Sequence, residues 1–443
     1  MKAHVRASGG SQSIALSRTF DASERREIRR RAIFEAGKLD PQTYDEPTLA
    51  PFALRIAPRT WRALAGLAER CAAELATVEA ALVADRRHWR ALGLSRRMRS
   101  VLANVHEPTA RDPRFCRFDF HPTADGWRVS EINADVPGGF IEAGALTRIV
   151  SEFLPGCACP PDPARALAEA VAARARGAGD VALVHATSYT DDQQVMVRIG
   201  AELAALGVRA HLAAPNHVTL TADGGCALAT NGARIGAIMR FFPAEWIGNL
   251  RRADRLRWRE IDARVPQANP LSALLIQPKR LPMTLPALGI PTQTWMSVLP
   301  ESRGVGWRRI APRLVPDGFV LKPAWGRIGE GICIEGVTES RIARRSHWAA
   351  RLFPREWMLQ RRFASDPVDG ASMHACLGVY VIDGRAAGVY ARVAPRPLID
   401  GRSQDAAVLI DPSLETSLEP DPEPRAPEPA RMTLTKEHSH VLA

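Results

Sequence analysis

The sequence predicts an α/β (α+β) protein built from more than one lobe, and three observations predict it. The chain has 443 residues, too many for one compact core, so two or three lobes are expected. Residues 60–84 carry Leu64, Leu67, Cys71, Leu75, Val78 and Leu82 at steps of three and four, the apolar stripe of an amphipathic helix. From about residue 160, short apolar strands alternate with helical stretches, the pattern of an open sheet with helices packed on it.

The totals narrow the function classes. The apolar fraction, 46%, is ordinary for a soluble protein, and no run approaches the roughly 18 apolar residues of a membrane helix, so no membrane partner is expected. The N-terminal stretch lacks the apolar core of a signal peptide. Seven cysteines without metal-ligand spacing point to a reducing, cytoplasmic setting. The net charge of +11 raises nucleic acid as a partner, but the arginines are spread along the chain without aromatic interleaving, and no nucleic acid is expected. Of the 59 basic residues only five are lysine: Lys2, Lys38, Lys279, Lys322 and Lys436. Where lysine persists against such a bias, a compact ammonium is doing what a flat guanidinium cannot. Lys279 and Lys322 draw this suspicion most, since the other three lie towards the termini.

Taken in order, residues 1–105 read as a mainly helical lobe, with Thr60 as the cap of its long helix after Pro58. Residues 106–155 hold a hairpin, "RFDFHPTADGWRVSEINADVPGG" at 117–139. A three-residue loop, Ala124-Asp125-Gly126, sets Asp119 opposite Glu131 and Arg117 opposite Asn133; a two-residue Asp-Gly turn would instead pair Phe118 with Asn133. In the first register Phe118, Phe120 and Ile132 face a core, while Arg117, Asp119, Glu131 and Asn133 share the other face. Opposed carboxylates repel unless a cation lies between them, and two carboxylates with an amide carbonyl suit Mg²⁺ and not zinc. Residues 156–265 form a small α/β domain, with helices at 162–175 and 191–206 and strands at 180–186, 208–214 and 236–243. Residues 266–412 form an α+β lobe. Residues 413–443 are Pro/Glu-rich and are expected to be disordered.

Within the last lobe, "FVLKPAWGRIGEGICI" reads as a strand carrying Lys322, a turn with Gly326, Gly329 and Gly331, and a second strand. Such glycines let backbone N–H groups approach an anion. The spacing is neither a Walker A loop nor a dinucleotide fingerprint.

The series "RFDF", "SEINADVPGG", "QPKRLP", "LKPAWGRIGEG", "MLQ" and "GVYARVAP", spread over about residues 50–412, resembles the synthetase domain of glutathionylspermidine synthase, a circularly permuted ATP-grasp carboxylate–amine ligase. The resemblance implies an ATP-grasp fold with an N-terminal helical lobe and a small open-sheet (pre-ATP-grasp) substrate domain. It implies ATP and Mg²⁺, and amide formation through an acyl phosphate. Asp119, Glu131 and Asn133 would hold Mg²⁺, and Arg117 the reacting carboxylate or acyl phosphate. Lys279 and Lys322 would contact phosphates beneath a loop that includes Gly326, Ile328 and Gly329. The backbone near Leu359 and Gln360 would meet adenine, and Arg392 would stabilise the transition state. His374 stands where a glutamine contacting the nucleotide is expected. The partners implied are a small-molecule or peptide carboxylate and an amine acceptor. Residues 180–250 are expected to shape the acceptor side; they are not rich in acids, so nothing singles out spermidine. A ligase with unrelated substrates and a non-catalytic ATP-binding protein are the alternatives, and the oligomeric state is not legible.

Overall fold

The computed structural model describes residues 14–43, 46–107, 109–306, 315–326, 329–370 and 372–415. Ile328 and the Pro/Glu-rich tail beyond Glu415 therefore lie outside the described residues. Among those described, no helix is long and apolar enough to cross a membrane.

The long helix, α1 (Pro58–Ala84), begins two residues earlier than the sequence suggested. Pro58 occupies its first position and Ala57 the cap, because a missing N–H costs nothing there; Thr60 lies inside the helix and is buried. The hairpin strands are β1 (Phe115–Thr123) and β2 (Gly126–Asn133). There follow α2 (Pro163–Ala175), β3 (Asp180–Val184), α3 (Thr190–Ala205), β4 (Ala210–Ala213) and β5 (Arg234–Arg240). A smaller lobe contributes β6 (Phe319–Pro323), α4 (Ser340–Leu352) and β7 (Trp357–Arg361). The chain then returns through β8 (His374–Ile382), β9 (Arg385–Ala394) and β10 (Gln404–Ala406).

Three sheets organise these elements. The five-stranded one, in the order β10-β9-β8-β1-β2, is antiparallel throughout. Its strands alternate as a half-buried sheet must: Phe118, Phe120, Leu377 and Val379 pack with Leu64, Cys71, Leu75 and Leu82 of α1 in one core, and the opposite face is left for polar residues. In the second sheet β4, β3 and β5 are parallel, with α2 and α3 supplying the second apolar cluster. In the small lobe β7 is the central strand, between β6 and Ser302–Gly304. Where the sequence suggested a second strand after the glycines, a single bridge joins Leu321 to Cys333. Early and late parts of the described chain are joined in one small sheet, since Leu54–Ile56 pairs with both Ile14–Leu16 and Val408–Ile410.

The hairpin reaches the expected register by a different route. Asp119 faces Glu131 and Arg117 faces Asn133, but Thr123 already pairs with Gly126, so the loop is the two residues Ala124-Asp125. Phe120 faces Val129, which leaves Ser130 as the extra residue of a β-bulge. The predicted three-residue loop is thus corrected to a shorter loop plus a bulge.

Candidate active site

A cleft of about 660 Å³ opens on the polar face of the five-stranded sheet and reaches both the small lobe and the open-sheet domain. Arg117 lies along its floor. Its Nε and Nη2 donate to the two oxygens of Asp119 at 2.7 and 2.9 Å, and its Nη1 donates to Gly138 O at 2.8 Å. The guanidinium also stands 5.1 Å from the ring centroid of Tyr390. Burial pulls its pKa down, but Asp119 outweighs that and holds it well above the ordinary value, so it stays charged. Gly378, opposite Asp119 on β8, makes the room: a Cβ there would stand 2.6 Å from Arg117 Cδ. A glycine inside a strand is the sequence mark of such a close approach.

Asn133 Nδ2 donates to Asp119 Oδ2 at 3.0 Å, and Glu131 pairs with Lys279 at 2.7 Å. Burial alone would raise the Glu131 pKa, yet Lys279, Lys322 and Arg117 hold it below its usual range. The three predicted metal ligands therefore converge, with protein cations in place beside them. Among the described residues no group of three or more His, Cys, Asp and Glu side chains is disposed to hold a metal. The set here is two carboxylates and an amide, hard oxygen donors that fit Mg²⁺ when phosphate oxygens complete its shell.

Lys322 projects from β6 into the same space. Its Nζ donates to Gln360 Oε1 at 2.7 Å and to the Ser130 carbonyl at 3.4 Å, the oxygen that the bulge turns inward. Among the described residues no carboxylate is bonded to it, and burial pushes its pKa down to about 8. Lys279 Nζ donates to Gly326 O at 3.0 Å, tying the glycine loop to the metal-ligand side. Gly329 has φ +70°, and a Cβ on it would meet Ile399 O at 2.5 Å, so only glycine fits. Nearby His121 bonds Ser130 Oγ at 3.0 Å and packs at a tilt against Phe363; burial, reinforced by Lys322, lowers its pKa to about 3 and keeps it neutral.

His374 lines the cleft and lies 3.4 Å from Ser365 Oγ. Arg392 donates through Nη2 to Asp400 O at 2.7 Å and Ser403 O at 3.0 Å. Leu359 is a correction. Its side chain sits in the small lobe's own core, and its backbone faces Arg303 on one side and Leu321 on the other. A central strand has its backbone groups turned to its two neighbours, and Val320, Ile332, Ile334 and Phe363 are among the small-lobe and adjoining apolar residues that line the cleft.

Sequence reasoning missed the acidic end of the cleft. Lys38 is wholly buried and donates to Asp40 Oδ1 and Asp405 Oδ2, each at 3.0 Å, and to Glu142. Burial opposes its charge, but the three acids hold its pKa well above normal. The same carboxylates line the cleft together with Asp191, and so do Tyr189 and Trp246, whose rings meet at a tilt with centroids 5.6 Å apart. Acids are thus plentiful at this end of the cleft, contributed by residues 40, 142 and 405 as well as by the 180–250 stretch. The scarcity of lysine that singled out Lys279 and Lys322 would have found Lys38 too.

Fold and cleft together are those of an α/β protein of ATP-grasp type. A glutathione synthetase-like effector from Globodera pallida superposes with a TM-score of 0.61 at 11% identity, over 88% of this chain and 96% of that one, a likeness of fold alone. A protein from Methylobacillus flagellatus described as a gamma-glutamylcysteine synthetase matches at 15% identity over 75% of this chain and 87% of its own, with a TM-score of 0.42. The family model for glutathionylspermidine synthase preATP-grasp matches residues 62–411, and the chain belongs to that family. No curated protein matches the sequence.

Proposed function

We propose that this chain is an ATP-dependent ligase that joins a carboxylate to an amine through an acyl phosphate. The observation that carries the reading is a cleft with two chemically opposite ends: a desolvated Lys322 bonded to no carboxylate beside a glycine loop, and a cluster of carboxylates across the floor. The first suits phosphate and the second a cationic amine.

Each side chain then has a task. Lys322 and Lys279 bind phosphate oxygens, which give the buried Lys322 ammonium a directly bonded counter-charge beyond the nearby Glu131. Glu131 and Asp119, assisted by Asn133, would hold Mg²⁺, which supplies charge neutralisation to the phosphates when bound. Of the five N–H groups of a guanidinium, three on Arg117 are used on Asp119 and Gly138, and two are left to orient the substrate carboxylate for attack on the terminal phosphate. Arg392, tethered by two carbonyls, stabilises charge on the acyl phosphate as the amine displaces inorganic phosphate. The neighbours Asp40, Asp191 and Asp405 draw the amine in.

ADP release from ATP and Mg²⁺ with panels of carboxylates and amines tests this reading. ADP should require a carboxylate, and hydroxylamine should trap the activated acyl group as a hydroxamate. ATP binding without carboxylate-dependent ADP release would make the chain a binding protein, and ADP without hydroxamate would remove the acyl phosphate.

A further inference from the structure

The outer face of α4 is unrelated to the cleft, and nothing in the proposed reaction uses it. The helix packs Ala343, Ala349 and Ala350 against Leu321, Cys333 and Trp357 of the small lobe. Its other side exposes Trp348 (64%) and Leu352 (65%), and Phe353 (55%) follows at once. At helical spacing Arg341, Arg345, Trp348 and Leu352 fall on one stripe, with Arg344 and Arg351 alongside. The Arg351 guanidinium lies 6.0 Å from the Trp348 ring centroid. From Ser340 to Arg355 the chain has five arginines and no acid. None of Arg341, Arg344, Arg345 and Arg351 forms an ion pair with a described residue, and Glu339, just before the helix, pairs with Arg402.

A solvated charged face would account for the arginines and not for three large apolar side chains within six positions, each more than half exposed. We propose that this face docks on an anionic lipid surface, with Trp348, Leu352 and Phe353 at the headgroup boundary and the arginines on lipid phosphates. Charge complementarity selects this occupant. A second copy would bring arginines against arginines. An acidic protein surface would offer the same charge but no apolar layer for the exposed Trp348, Leu352 and Phe353, and polyglutamate stands for it in the test. A field of one sign around an apolar tip matches a laterally uniform anionic sheet. The association is peripheral, because the inner face of α4 stays in its lobe, so it needs no spanning helix.

The test is co-sedimentation of the full chain with vesicles of phosphatidylcholine alone and of phosphatidylcholine mixed with phosphatidylglycerol. Binding to the mixed vesicles only is expected, with a blue shift of tryptophan emission. The double substitution Trp348→Ser with Leu352→Ser should weaken it by about tenfold or more, and Arg344→Gln with Arg345→Gln similarly, at unchanged melting temperature. Absence of binding to the mixed vesicles would overturn the proposal. So would binding that survives the Trp348/Leu352 change, or capture of polyglutamate or duplex DNA by the native face in place of vesicles.

Discussion

Replacing Lys322 with methionine should make the ligand-free protein more stable. The ammonium is buried, and its bonded partners are the neutral oxygens of Gln360 and Ser130, so its folded pKa falls from 10.5 to about 8. At 1.36 kcal/mol per unit, that shift corresponds to a charged form disfavoured by about 3 kcal/mol in the folded state. Methionine fills a similar volume but leaves the Gln360 carbonyl without its donor, a loss of about 1 kcal/mol, so a net gain of about 2 kcal/mol is expected at pH 7. The sign also fixes a pH dependence. Below about pH 8 the folded lysine is protonated and the whole destabilisation is present; between about 8 and 10.5 the folded form loses its proton first, and the native protein recovers the difference. Urea unfolding of both proteins from pH 7 to 10 measures the gap, and comparing them cancels the titration of the buried cysteines. The same variant should lose ATP binding by isothermal titration calorimetry. A variant no more stable than the native protein at pH 7, or a gap that does not shrink as pH rises, would show that the ammonium is already neutralised and would refute the reasoning.

Three further outcomes follow from the site. Glu131→Gln should remove Mg²⁺-dependent ADP production and, by breaking the 2.7 Å pair with Lys279, lower stability by about 1 kcal/mol; because the Glu131 pKa is lowered, the difference in denaturant midpoint should be full above the ordinary carboxylate range and shrink as pH falls through the depressed folded pKa. Gly378→Ala places a Cβ 2.6 Å from Arg117 Cδ, so the guanidinium must leave Asp119; a loss of about 1–3 kcal/mol is expected, with carboxylate KM raised and ATP affinity kept. Lys38→Met has the opposite sign to the change at 322: it strands three carboxylates around a buried site and should lower stability by about 3–5 kcal/mol, read by thermal unfolding.

The hairpin was legible because its alternation is strict: with Phe118, Phe120 and Ile132 committed to the core, Arg117, Asp119, Glu131 and Asn133 had one face left. The bulge was not, since a shorter loop with one extra residue at Ser130 gives the same pairing at the site as the longer loop. Leu359 was misplaced because a motif marks a segment without saying that its strand is central in a three-stranded sheet. The acidic end escaped notice for a different reason. Its carboxylates come from residues 40, 142, 191, 192 and 405, and apart from the adjacent Asp191 and Asp192 no short window along the chain contains more than one of them. Charge density is a property of the assembled cleft, whereas lysine scarcity, a property of single positions, could be read directly.

The buried Lys38 also has a consequence for synthesis. Its partners Glu142 and Asp405 follow it by 104 and 367 residues. At about 5–20 residues per second, the N-terminal segment waits roughly 20–70 s for the last of them. Strands β8 and β9, which carry Gly378, Tyr390 and Arg392, emerge in the same closing interval. A nascent chain that stops short of residue 405 keeps the Lys38–Glu142 pair without its third arm, and one that stops before β8 also lacks the sheet partner of β1. The cleft is therefore completed at both ends only once residues 374–405 have been made, and a chain interrupted before them leaves no fragment with a finished acidic end.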